Sequence, residues 1–123
     1  MATTERYLIM ITHGLDEPEK ATMPLVMAVG ALASEVEVVV GLQDGGVELA
    51  VKGAADGVAV DGYPPVSKLL ADYQELGGRL LACPLGVAHR KIDAATQFAD
   101  NAEVVAAGRF VLEISAATHV LVY

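Results

Sequence analysis

Short, continuous apolar runs alternate along this chain with longer stretches whose apolar residues recur every three or four positions. Tyr7-Leu8-Ile9-Met10-Ile11 is the first run, ending at Thr12-His13-Gly14. An uninterrupted run of that length reads as a strand buried on both faces. Asp16-Glu17-Pro18 then offers a helix start, with acid in the first turn and proline near its first position. That helix is expected to reach about Ser34, with either a kink at Pro24, which lacks an N–H, or a later start at Thr22. Val36-Glu37-Val38-Val39-Val40 predicts the second strand, closed by Gly41. Gln43-Asp44-Gly45-Gly46 predicts a loop, residues 47–52 a short helix stopped by Gly53, and Val58-Ala59-Val60 a brief strand between two Asp-Gly turns.

Pro64-Pro65 opens the next helix, in which Val66, Leu69, Leu70, Tyr73 and Leu76 form one apolar stripe capped by Gly77-Gly78. Leu80-Leu81-Ala82 is a further buried strand and runs straight into Cys83-Pro84. Residues 85–91 predict a short helix, and Asp93 an N-cap for another ending near Ala99. A strand at 103–106, a helix at 108–117 and a last strand at 119–123 complete the chain. Strands that are apolar throughout and separated by helices require a parallel sheet covered on both faces. The expected fold is α/β, a three-layer α/β/α arrangement with a mostly parallel sheet of about five strands, in one domain over 1–123.

Composition adds limits. A chain of 123 residues holds one core. A single cysteine excludes an internal disulfide and fits a reducing compartment, so a cytoplasmic location is expected. The opening Met1-Ala2-Thr3-Thr4-Glu5-Arg6 is polar, unlike a signal peptide, and the longest apolar stretch, around 24–33, is far below the ~18 residues of a membrane span. Eight basic against 16 acidic residues give a net charge of −8, which repels polyanions, so neither nucleic acid nor a membrane is an expected partner. A hydrophobic fraction of 54% and a mean hydropathy of +0.46 exceed what a small interior needs. The surplus points to an apolar surface and a homo-oligomer; the competing account is an alanine-rich composition that inflates the count.

In open parallel sheets ligands sit beyond the carboxyl ends of the strands. His13 follows the first strand, Gln43 and Asp44 the second, and Cys83 a later one, so all are expected on one edge, whereas His119 begins its strand and belongs to the other. Cys83 has the strongest chemical case. It stands where strand gives way to helix, Pro84 is pre-set for the first helical position, and Arg90 and Lys91 follow two turns on. A helix N-terminus and nearby cations favour the thiolate, the reactive form of cysteine. The competing reading is a buried structural cysteine. His13, Asp44, Gly45 and Pro84 are the candidate pocket residues around it; for His13 and Asp44 the plainer readings are an exposed turn histidine and ordinary turn chemistry. No phosphate-binding glycine motif, metal-ligand spacing or nucleophilic-serine motif occurs, so no cofactor and no metal are expected.

The order of these pieces resembles the DsrE/DsrF-like family of small sulfur-relay domains. The resemblance rests on the first strand into Thr12-His13-Gly14 with Asp16-Glu17-Pro18-Glu19-Lys20-Ala21, and on Val38-Val39-Val40-Gly41-Leu42 into Asp44-Gly45-Gly46-Val47. It continues through the strand into Cys83 and ends on Val104-Val105-Ala106-Ala107-Gly108 opening the last helix. It implies a parallel α/β fold and homo-oligomers, often trimers or hexamers. In sulfur-relay members the cysteine at the position of Cys83 carries a persulfide between donor and acceptor proteins, which makes a sulfurtransferase-type carrier the implied activity. This chain departs from many relatives in having Pro84-Leu85-Gly86-Val87 after the cysteine, with neither a second nearby cysteine nor an Arg-Gly pair. Three readings stand open: a persulfide carrier, a non-catalytic oligomeric scaffold or ligand-binding module with an inert Cys83, and a thiol peroxidase, which would lack a resolving cysteine in the chain.

Overall fold

A computed structural model describes residues 4–123 of the protein. Met1-Ala2-Thr3, part of the opening read above as unlike a signal peptide, lie outside the described residues. Five strands form one sheet: β1 (Arg6–Ile11), β2 (Glu37–Leu42), β3 (Arg79–Ala82), β4 (Ala102–Val104) and β5 (His119–Val122). Their order across the sheet is β4-β3-β2-β1-β5, and every pairing is parallel. The helices are α1 (Pro18–Ala33), α2 (Val66–Glu75), α3 (Pro84–His89), α4 (Ala94–Gln97) and α5 (Ala107–Ala116).

The strand order dictates where the helices lie. Right-handed crossovers that step from β1 to β2, β3 and β4 put their helices on one face, and the return from β4 to β5 puts α5 on the other. The first face is thick. Ile9, Ile11, Val38, Val40, Leu42, Leu80 and Ala82 pack there with Ala21, Leu25 and Ala28 of α1 and Val66, Leu69 and Tyr73 of α2. The second face holds a small cluster, Leu8, Met10, Leu81, Val105 and Phe110 of α5, with Val39, Cys83 and Ala117 packed against it. The architecture is therefore three-layered as expected, with one helix as the third layer among the described residues.

Several local expectations need correction. The first helix starts at Pro18 and passes through Pro24. Thr22 is an interior residue whose hydroxyl donates to the Pro18 carbonyl, 2.6 Å away. Gly41 does not close the second strand but lies inside it, paired with Met10 and Leu81. A Cβ there would stand 2.8 Å from Met10 Sδ and 3.0 Å from Phe110 Cε1, so the missing side chain is what lets α5 settle onto the sheet. Asp44–Ala50 is one 3-10 helix, absorbing both the expected loop and the short helix after it. Residues 58–60 form no strand. They lie between turns with positive φ at Gly57 (80°) and Gly62 (86°), and their backbone bonds go to Ala55, Tyr63 and Val66 rather than to a neighbouring strand. Among the described residues no helix is long and apolar enough to cross a membrane.

Candidate functional site

The carboxyl edge of the sheet is closely laced. β3 delivers Cys83, whose N–H donates to the Leu42 carbonyl at 2.9 Å, and Gln43 N–H donates to Ile11 O at 3.0 Å. Thr12 N–H and its hydroxyl both donate to the Tyr123 carbonyl, at 2.8 and 2.7 Å. The parallel register that pairs Ile11 with Leu42 and Leu42 with Ala82 therefore continues one residue further, setting Thr12, Gln43 and Cys83 in a row.

Alternation along each strand decides which way these residues face. Val39 and Gly41 of β2 and Leu81 of β3 lie on the α5 side, so Gln43, still extended at φ −125° and ψ 158°, faces that side too. Cys83 is half-buried and packs against the α5-side cluster. It is the N-cap residue of α3 with Pro84 at the first helical position, and it makes no side-chain capping hydrogen bond. That helix has only six residues, so its dipole is small. Arg90 folds back, but onto the Gly86 carbonyl at 3.5 Å, not onto the sulfur.

The structure places every expected pocket residue on this edge, in two groups. Asp44 and Gly45 begin the 3-10 helix after β2, and Asp44 and Val47 of that helix lie against Gly86 in the segment that follows Cys83. A Cβ on Gly86 would lie 3.1 Å from Asp44 O and 3.0 Å from Val47 Cγ1, so glycine there allows α3 to close against the 3-10 helix. Gly45 is buried on its other side against the β1–α1 loop, where Asp16 accepts from Gly14 N–H at 3.3 Å. His13 belongs to that loop, two strands from Cys83 and half-buried. Asp44 is exposed, in a left-handed conformation at φ 50°. Among the described residues no hydrogen bond joins the side chains of Cys83, His13 and Asp44 to one another. Gln43 is the neighbour that sequence reasoning named at this edge but left out of the pocket; counting alternation from Val39 and Leu81 would have found it.

A separate cleft of about 210 Å³ lies between α2 and the segment after the 3-10 helix, lined by Leu49, Leu70 and Leu80 with Ser67, Gln74 and Asn101 at its polar side. It does not include Cys83. Among the described residues no cluster of three or more His, Cys, Asp or Glu is arranged to hold a metal ion.

The model of the DsrE/DsrF-like family matches residues 5–123. The chain belongs to the DsrE/DsrF-like family. Solved structures share the fold. The ychN protein from E. coli superposes with a TM-score of 0.82 at 16% identity, covering 98% of this chain and 100% of its own. A protein of unknown function from Methanobacterium thermoautotrophicum gives 0.63 at 16% identity, covering 94% and 96%. At that identity these likenesses speak for the fold alone. No curated protein matches the chain. Within a DsrE/DsrF-like domain, Cys83 occupies the end of β3, at the edge where strand gives way to helix.

Proposed function

We propose that the protein carries sulfur as a persulfide on Cys83, accepting it from a donor protein and passing it to an acceptor. The observation that carries this reading is the place of the chain's one cysteine: half-buried, at the carboxyl end of β3, in a domain of this family. The chemistry is thiol exchange. Cys83 Sγ, as thiolate, attacks the outer sulfur of a donor persulfide R–S–SH. The Cys83 S–S bond forms as the donor's S–S bond breaks, the donor leaves as a thiolate, and the transferred sulfur keeps its proton. Delivery is the same step run onto an acceptor thiolate. Atoms and electrons balance without a cofactor or metal.

In this reading the apolar cluster walls the sulfur on one side, and Pro84, Asp44, Gly45 and His13 shape the rim that a partner approaches. The protein works as a homo-oligomer in the cytoplasm, a trimer or hexamer by family resemblance. Exposed Val111, Leu112 and Ile114 of α5 and Val120 and Val122 of β5 support self-association. A second reading, an oligomeric module with an inert thiol, is favoured by the packing of Cys83 against apolar side chains.

Intact-protein mass spectrometry after incubation with a polysulfide donor separates the two. The carrier gains one sulfur atom in the native state, loses it to a small-thiol acceptor, and fails to gain it as Cys83→Ser. A thiol that resists both sulfur addition and alkylation until the protein is denatured would hand the case to the inert module.

A further inference from the structure

We propose that the cleft between α2 and the turn after the 3-10 helix binds a small zwitterion with an apolar tail, an α-amino acid of leucine's kind. The site is separate from the sulfur chemistry above, since Cys83 is no part of it. Its walls follow from the sequence. Ser67, Leu70, Ala71 and Gln74 lie at i, i+3, i+4 and i+7 of α2, so one stripe of that helix turns towards the cleft. The opposite wall is the turn over residues 51–56. It is pinned by an antiparallel bridge between Val51 and Phe98, with Lys52 N–H donating to Gln97 O and Ala99 N–H to Ala50 O, each at 2.8 Å. Gly53, at φ 76°, lets the chain reverse within that wall. Leu49 and Leu80, each 2% exposed, form the floor.

Size and charge select the occupant. A volume of about 210 Å³ equals that of about seven waters, room for roughly seven to ten non-hydrogen atoms. It falls below the ~300 Å³ at which pockets for larger ligands begin, so a nucleotide does not fit and an amino acid of leucine's size does. The floor takes an apolar tail, while the mouth carries one charge of each sign. Lys52 and Asp56 are both exposed there, and among the described residues neither forms an ion pair with the other or with any other side chain. A Cβ on Gly53 would lie 3.6 Å from Asp56 Oδ2, which places that carboxylate over the turn. Asn101 donates from Nδ2 to Gly78 O at 2.8 Å, leaving its Oδ1 to accept, and the Ser67 hydroxyl and Gln74 amide make no hydrogen bond among the described residues. A ligand carboxylate then meets Lys52 and a ligand ammonium meets Asp56. The chain's net charge of −8 repels a simple carboxylate but not a zwitterion.

Amide chemical shifts of the full, isotope-labelled chain, followed during titration with L-leucine, test the site. Saturable shifts are expected at residues 52–56, Gln74 and Asn101, with a dissociation constant on the order of 1 mM for so small and partly exposed a ligand. Isopentylamine lacks leucine's carboxylate and isocaproate lacks its ammonium; each should bind about threefold more weakly, the worth of one exposed ion pair. Lys52→Gln should weaken leucine by that factor and leave isopentylamine unchanged, whereas Asp56→Asn should weaken leucine without weakening isocaproate. Ala71→Met sets a long side chain in the mouth from an exposed helical position that suits it, and should remove binding of all three while the other amide signals stay those of wild type. The absence of saturable shifts at these amides up to about 50 mM leucine overturns the proposal. Equal affinity for leucine and either half-molecule also overturns it, because the cleft would then be an apolar hole with no use for its charges. So does saturation at His13 and Asp44 on the carboxyl edge instead of at the cleft.

Discussion

Tyr73 joins the core to the backbone at one point. Its ring is fully buried between α2 and the sheet, and its hydroxyl donates to the Arg79 carbonyl at 2.5 Å, at the first residue of β3. Burial pushes the phenol well above its ordinary value of 10.0, outweighing the backbone hydrogen bonds and the Arg79 charge that pull it down. A raised value means that the fold favours the protonated form. Stability from this group is whole below about pH 10 and is lost as pH climbs above that, because the unfolded chain ionises first. Tyr73→Phe is expected to cost about 1 kcal/mol at neutral pH, the net worth of the hydrogen bond, and to flatten the fall in stability above about pH 10. Urea unfolding at neutral and alkaline pH measures both; an unchanged alkaline slope would mean that another group governs it.

The element most exposed to disruption is α5. As the only helix on its face among the described residues, it presents Phe110 and Glu113 inward and leaves Val111, Leu112 and Ile114 outside. Glu113, with its side chain 7% exposed, is held by Arg6 of β1 at 2.7 Å and by Arg109 at 3.6 Å. This bond set ties the helix to the amino end of β1. Arg6 is itself 36% exposed and also near Glu37, at 3.9 Å, so after loss of Glu113 it can hydrate. The cost of Glu113→Ala should then be about 2 kcal/mol, below that of breaking a fully buried pair. Because Phe110 covers the cluster that Cys83 packs against, loosening α5 should also raise the rate of Cys83 alkylation and of amide exchange in β3. Faster exchange confined to α5, with Cys83 unaffected, would show that the helix and the thiol are independent.

At the scale of the whole molecule, one face is double-covered and the other is thin. The thin face carries Val111 at 61%, Val122 at 68% and Val120 at 43% exposure, on the helix and on an edge strand beside it. An edge strand flanked by apolar side chains invites pairing or burial. Light scattering at micromolar concentration is expected to report at least twice the 12.8 kDa chain mass. Placing charge on the thin face as Val111→Glu with Ile114→Lys should lower that mass while leaving the circular-dichroism spectrum intact. Each chain carries a net charge of −8, so association should strengthen with added salt, which screens the repulsion. A monomer at all salt concentrations would leave the apolar surplus without a purpose in assembly.

The alternation of strands and helices, the parallel sheet and the assignment of Cys83 to the carboxyl edge were all legible in the sequence, because hydrophobic period reports how many faces of an element are buried. Turn chemistry was legible only in part. The Asp-Gly pairs around Val58 do make turns, yet the three residues between them find no strand to pair with. Gly41 read as a stop because glycine weakens a strand in isolation, whereas in the fold it makes room for Met10 and Phe110, contacts from residues 31 positions before it and 69 after it. The site shows the same division. A local pattern can bring Cys83 and Asp44 to one edge, but which side of the sheet the sulfur faces depends on register between β2 and β3. Register is set by packing of the whole buried face, and only there do Gln43 and Cys83 become neighbours.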